Sequence, residues 1–172
     1  MSIVTGNTKQ VIIGAYEALS SCMKDYLSNS AQNQEEDESH EETMRNIIRN
    51  MRKLKHNPDD DIARSLLIQQ SECYRHTLNQ NLLFYNPEKF VRFAKEVWCI
   101  ETTNKTDEEI AFDGIDALSD FTTEMGLSNS LSDMGITDDS ILRKVADTTI
   151  ITPGCAKQLT PDEIYAILLE SK

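Results

Sequence analysis

The sequence predicts an all-α fold, a multi-helix array of about seven helices joined by short connections. Three observations predict it. Apolar residues recur at three- and four-residue steps, the signature of a helix with one buried face. Helix-start devices recur between these stretches: Ser39 with Glu42, Asn57-Pro58, Asn86-Pro87, Thr106 with Glu109, and Thr160-Pro161 with Glu163. Strand patterning is almost absent. Only Thr148-Thr149-Ile150-Ile151-Thr152 resembles a strand, and one strand cannot make a sheet.

The first helix is expected from about Thr8 to Leu27, with Ile12, Ala15, Leu19, Cys22, Met23 and Tyr26 on one stripe. Residues 28–38 are polar and read as a solvated loop. The Ser39/Glu42 capping box then opens a helix burying Met44, Ile47, Ile48, Met51 and Leu54, with Arg45, Arg49 and Arg52 on another face. Asn57 caps a helix reaching about Asn79, with Pro58 at its first position. Asn86-Pro87 starts a helix through Phe90, Val91, Ala94, Val97 and Trp98. The helix after Thr106 buries Ile110, Ile115, Leu118 and Phe121 and stops at Gly126, which takes a left-handed conformation without strain. Thr137 caps a short helix through Ile141, Leu142 and Val145. Residues 150–159 are a loop, and the Thr160 box starts a last helix with Ile164, Ile167 and Leu168 inward. Residues 1–172 are read as a single helical domain.

Composition narrows the function. The chain has 172 residues and a formal net charge of −12. Such a surface repels phosphate backbones, so nucleic acid is not an expected partner. Nor is a membrane, because no stretch approaches the roughly 20 apolar residues that span a bilayer. No basic, then apolar, leader is visible at Met1–Gly6, and the four cysteines (Cys22, Cys73, Cys99, Cys155) show no CxxC spacing. Cytoplasmic, reduced, half-buried thiols are the expectation.

Chemical motifs are scarce. His40, His56 and His76 form no HxxxH or HExxH pair. The run Glu35–Glu38 lacks the alternating donors and turn glycine of a calcium loop. Asp59-Asp60-Asp61 is best read as negative charge at a helix start. The Arg45, Arg49, Arg52 stripe is read as a solvated face pairing with nearby acids. No Gly-rich phosphate loop or GxSxG elbow occurs.

Four strings in residues 86–172 carry a family resemblance: Asn86-Pro-Glu-Lys-Phe-Val-Arg-Phe-Ala-Lys-Glu-Val-Trp98, Glu124-Met-Gly-Leu127, Leu131-Ser-Asp-Met-Gly-Ile136 and Leu159-Thr-Pro-Asp-Glu-Ile-Tyr165. In order and spacing they resemble the C-terminal end of the iron-containing alcohol dehydrogenases of the butanol dehydrogenase kind. Gly14–Met23, Asn57–Asp60 and Ala63-Arg64 resemble earlier segments of that family's helical domain more weakly. Residues 8–79 would then be a degenerate metal-site half and 86–172 a well-matched C-terminal half.

The resemblance implies an N-terminal α/β domain binding NAD(P) and a helical domain holding divalent iron or zinc, which polarises the alcohol oxygen. It implies four metal ligands: an aspartate, a histidine four residues later, and two further histidines. Glu17 stands at the aspartate position and Ser21 at the first histidine position. The segment holding the other two histidines has no counterpart before Asn86, and His76 matches neither motif. The expectation is a truncated relative with no catalytic, cofactor-binding or metal-ligating residues of its own, not catalytic alone, acting as a helical interaction module. Expected partners are a second copy or a full-length dehydrogenase relative. The alternative is a subunit completing an alcohol dehydrogenase with a separate nucleotide-binding chain. A third reading leaves the chain without a selected function.

Overall fold

A computed structural model describes residues 7–27, 34–73, 87–150 and 158–172, with 71–73 as backbone. Among them lie seven helices: α1 (Thr8–Leu27), α2 (Gln34–His56), α3 (Asp61–Cys73), α4 (Pro87–Glu96), α5 (Asp107–Glu124), α6 (Asp139–Thr148) and α7 (Pro161–Glu170). None of the described helices is long and apolar enough to cross a membrane.

The first layer is α1, α2 and α3 packed on one another. All six apolar residues of the expected α1 stripe are buried, as are Met44, Ile47, Ile48, Met51 and Leu54 of α2. Asn7 starts α1, its side chain accepting from the Lys9 N–H at 3.1 Å. The α2 start differs from expectation. Residues 34–38 are helical, and Ser39 lies inside the helix, its carbonyl accepting from Thr43 Oγ1. The acidic run supplies good helix formers, and its charge suits the first turn. It is also held by tertiary contacts, since Asp37 pairs with Lys89 of α4.

Asn57-Pro58 likewise closes a turn instead of opening a helix. The Asp60 N–H donates to the Asn57 carbonyl at 3.0 Å. Asp60 is the cap of α3, accepting from the Ala63 N–H at 2.9 Å. The triple aspartate therefore serves a helix start, as expected. The end of that helix beyond Cys73, and His76, lie outside the described residues.

The second layer is the α4–α5 pair. Phe90, Val91, Phe93, Ala94 and Val97 are buried. Trp98 lies past the end of α4, its ring 6.2 Å from Phe93 and 5.7 Å from Phe121. Left-handed Cys99 (φ 56°) turns the chain there, and the Ile100 N–H reaches the Ala94 carbonyl at 3.0 Å. Cys99 is exposed, not half-buried, because that turn points it outward; Cys22 is buried and free.

The α5 start is the expected capping box: Thr106 accepts from the Glu109 N–H, and Glu109 accepts from the Thr106 N–H. Those hydrogen bonds hold the Glu109 carboxyl below its usual range. Its end is also as expected. Gly126 (φ 72°) closes a Schellman pattern, with the Leu127 N–H on the Thr122 carbonyl at 3.1 Å. Gly114 sits where α4 crosses α5. A Cβ there would meet the Ala94 Cβ at 2.7 Å.

The last pair, α6 and α7, packs mainly on itself. Asp138, not Thr137, caps α6, its carboxylate accepting from the Ser140 N–H at 2.8 Å. Leu142 and Ala146 face inward, while Ile141 and Val145 are exposed. So short a pair has room for only one narrow buried seam. Arg143 clamps it by pairing with Asp147 and Asp162 and stacking over Tyr165. Of the expected inward residues of α7, Ile164 is buried, with Ile167 and Leu168 half-buried. The strand-like stretch is the end of α6 and two irregular residues, with 151–152 outside the described residues.

Candidate functional site

Helices α1, α5 and α7 line a cleft of about 790 Å³. Ile13, Tyr16 and Glu17 of α1 form one wall, Ile115, Leu118 and Thr122 of α5 another, and Ile167 of α7 with Met134 the rim. The walls are held at fixed separation. Tyr16 hydroxyl meets Thr122 Oγ1 at 2.6 Å, and Thr122 in turn donates to the Leu118 carbonyl at 2.8 Å. Burial pushes the Tyr16 phenol up. The C-terminus of α7 is tied to the rim by the Leu131 N–H on the Ser171 carbonyl at 2.7 Å. The cleft's charged groups are Lys9, Glu17 and Glu170.

Glu17 is exposed in this cleft. Ser21, one turn on, is only 4% exposed and is not part of the lining. The two residues at the resembled ligand positions thus present one carboxylate in the cleft and one buried hydroxyl behind it. A neutral aliphatic hydroxyl is a poor ligand for iron or zinc, which take thiolate, imidazole or carboxylate. Among the described residues no three His, Cys, Asp or Glu converge into a metal-sized cluster. Of the four ligands that the resemblance implies, the described residues thus supply one carboxylate, at Glu17, and a hydroxyl, at Ser21.

Of the remaining sequence candidates, Arg45, Arg49, Arg52 and His56 line one open cleft of about 700 Å³ beside α2, while His40 lies apart from it. His40 is half-buried on α2, its Nδ1 2.7 Å from the Glu36 carbonyl and its ring edge-on to Tyr26. His56 is exposed at the C-terminal end of α2. Among the described residues the arginine stripe pairs with an acid at Arg52, whose guanidinium makes a bidentate contact to Glu124. That contact draws the Glu124 carboxyl below its usual range. Arg45 donates to the Glu96 carbonyl at 2.7 Å, and Arg49 reaches only Asn46 at 3.4 Å.

A buried polar group between α1, α2 and α4 escapes sequence reasoning. Glu41 is 2% exposed, accepting from the Tyr26 hydroxyl at 2.9 Å and pairing with Arg92. Lys89 lies over the Tyr26 ring at 4.8 Å and pairs with Asp37. Nothing in an acid-rich helix start distinguishes Glu41 from its solvated neighbours; only its place on the Met44/Ile48 face hints at burial. The network knits three helices, and its Asp37, Lys89 and Arg92 line a charged cleft of about 380 Å³.

Comparison with known proteins gives these elements a context. Residues 68–171 match the model described as Fe-containing alcohol dehydrogenase family, C-terminal. A Bacillus subtilis (strain 168) protein described as "Probable NADH-dependent butanol dehydrogenase 1" is 39% identical over 99 residues, which is 56% of this chain and 24% of that protein. The chain therefore spans about a quarter of the length of the curated relatives it matches. Among solved structures, a 1,3-propanediol oxidoreductase superposes with a TM-score of 0.75 at 19% identity, covering 94% of this chain and 51% of that one. The E. coli aldehyde reductase YqhD gives 0.77 at 19%, covering 98% and 54%. At that identity the structures show a shared fold. Their coverage takes in α1–α3, most of which the family model leaves unmatched.

Proposed function

We infer a function from the premise that this chain belongs to the Fe-containing alcohol dehydrogenase family, whose C-terminal model matches residues 68–171. The proposal is a helical relative that performs no metal-assisted alcohol oxidation alone and acts as an interaction module. The observation that carries it is Ser21, buried at 4% exposure where the resemblance places an imidazole ligand. Replacing an imidazole by a neutral hydroxyl removes a strong donor for a divalent metal. Glu17 keeps a carboxylate at the cleft, but one carboxylate does not hold iron or zinc in a defined geometry. Without a positioned Lewis acid the alkoxide that must form during hydride loss has no stabilising cation.

A second reading follows from the cleft. Its lining exposes Met134 at 63% and Ile13 at 39%, apolar surface that suits coverage by another chain. The chain would then complete a dehydrogenase whose nucleotide-binding part is a separate polypeptide.

An alcohol assay separates the two. The chain is supplied with ferrous iron or zinc, butanol and NAD(P), alone and mixed with cell extract. The first reading predicts no turnover above the chain-free blank in either mixture. Turnover by the chain alone would contradict both. Turnover that needs chain and extract together, and is lost with Glu17→Ala, would support the second.

A further inference from the structure

Helix α2 carries its charge in two blocks. Glu35, Glu36, Asp37, Glu38, Glu41 and Glu42 lie in its first half, and Arg45, Arg49, Arg52, Lys53 and Lys55 in its second. Helix dipoles favour this order only in the first and last turns. Tertiary contacts account for several more charges. Asp37 and Glu41 pair with α4, Arg52 pairs with Glu124, and Lys55 donates to the Glu124 carbonyl. The exposed residues Glu38, Glu42, Arg49 and Lys53 are among those left. They share one ridge, opposite the buried Met44/Ile48/Met51 face, because they recur at four- and seven-residue steps.

That ridge suits a lone helix poorly. Glu38 and Glu42 are like charges four residues apart, and so are Arg45 with Arg49 and Arg49 with Lys53. Such pairs destabilise an isolated helix surface, where alternating signs at this spacing would stabilise it. The ridge is, however, complementary to itself reversed. A two-fold axis crossing α2 between Arg45 and Asn46 brings Glu42 opposite Arg49 of the other copy, Glu38 opposite Lys53, and Glu35 opposite His56. Each of these pairings occurs twice in an isologous interface. Antiparallel helices also set their dipoles favourably side by side.

We propose that the outward ridge of α2 is a docking surface for a second copy of this chain, paired antiparallel about the Arg45/Asn46 midpoint. The ridge from Glu38 to Lys53 presents no large apolar side chain, so the contact is electrostatic. It is therefore weak and steeply salt-dependent, since screening shortens from roughly 14 Å near 50 mM salt to about 4 Å near 500 mM. This surface is separate from the α1/α5/α7 cleft, so it stands or falls independently of the dehydrogenase readings.

The test is sedimentation velocity on the full chain, with circular dichroism confirming that each variant keeps its helices. At low salt a monomer–dimer equilibrium is expected, with a dissociation constant that rises at least about tenfold at high salt. Glu42→Arg and Arg49→Glu should each weaken the homodimer by about tenfold or more, because each sets like charges face to face twice. Mixing the two variants should restore dimers, since every facing pair in the heterodimer again has opposite signs. A wild-type chain that stays monomeric at low salt up to about 1 mM, a dimer indifferent to both substitutions, or a mixture that fails to recover would each overturn the proposal.

Discussion

At the scale of single residues, Glu41 shows how much one buried carboxylate can organise. It lies in the core with 2% exposure, and it is tolerated because Tyr26 and Arg92 satisfy it. The same carboxylate pushes the Tyr26 phenol well above its usual range, after burial itself, because two negative charges cannot share the site. Arg92→Ala would leave the carboxylate buried without its counter-charge. Breaking a fully buried pair costs roughly 3–5 kcal/mol. Arg92 keeps 34% of its side chain in water, so the expected loss is smaller, about 2 kcal/mol. Denaturant unfolding of the variant checks it, and a loss under about 0.5 kcal/mol would show that solvent already screens Glu41. Legibility at this scale is partial. The apolar stripes of α1 and α2 could be read from spacing, because periodicity encodes burial. Glu41 and Lys89 could not, because their burial depends on which helix arrives opposite them.

At the scale of elements, three helix starts and ends could be read in the sequence. The Thr106 and Thr160 boxes and the Gly126 stop are local devices whose hydrogen bonds close within a few residues. The starts of α2, α3 and α6 slip because rival caps stand nearby. Asp60 and Asp138 win over Asn57 and Thr137, and α2 begins five residues before Ser39, where Asp37 pairs with Lys89 of α4. The α4–α5 crossing depends on Gly114, a residue that ordinarily weakens a helix. On an exposed helix face, Gly114→Ala would gain up to about 1 kcal/mol. Here the added methyl meets Ala94 Cβ at 2.7 Å and its Cα at 3.0 Å. The substitution should therefore destabilise, by about 1–3 kcal/mol. Thermal unfolding checks the sign: a raised melting temperature would mean that α4 and α5 can separate at little cost.

At the scale of the whole molecule, the helical architecture and its family could be read in the chain, the first from patterning and the second from the strings around Pro87, Gly126, Gly135 and Pro161. Those strings coincide with structural punctuation: the start of α4, the end of α5, the left-handed Gly135 turn and the start of α7. The cleft was not legible, since its walls come from residues about a hundred positions apart, joined by the Tyr16–Thr122 hydrogen bond. Yet the cleft places the two residues at the resembled ligand positions, Glu17 with its carboxylate in the lining and Ser21 buried outside it. The proposal that this helical region has given up metal-assisted chemistry rests on that pair. Its most direct test is an anaerobic calorimetric titration of the chain with ferrous iron, repeated with zinc. Weak, sub-stoichiometric binding, unchanged by Glu17→Ala, is the predicted result. One tightly bound metal per chain, lost with Glu17→Ala, would contradict it.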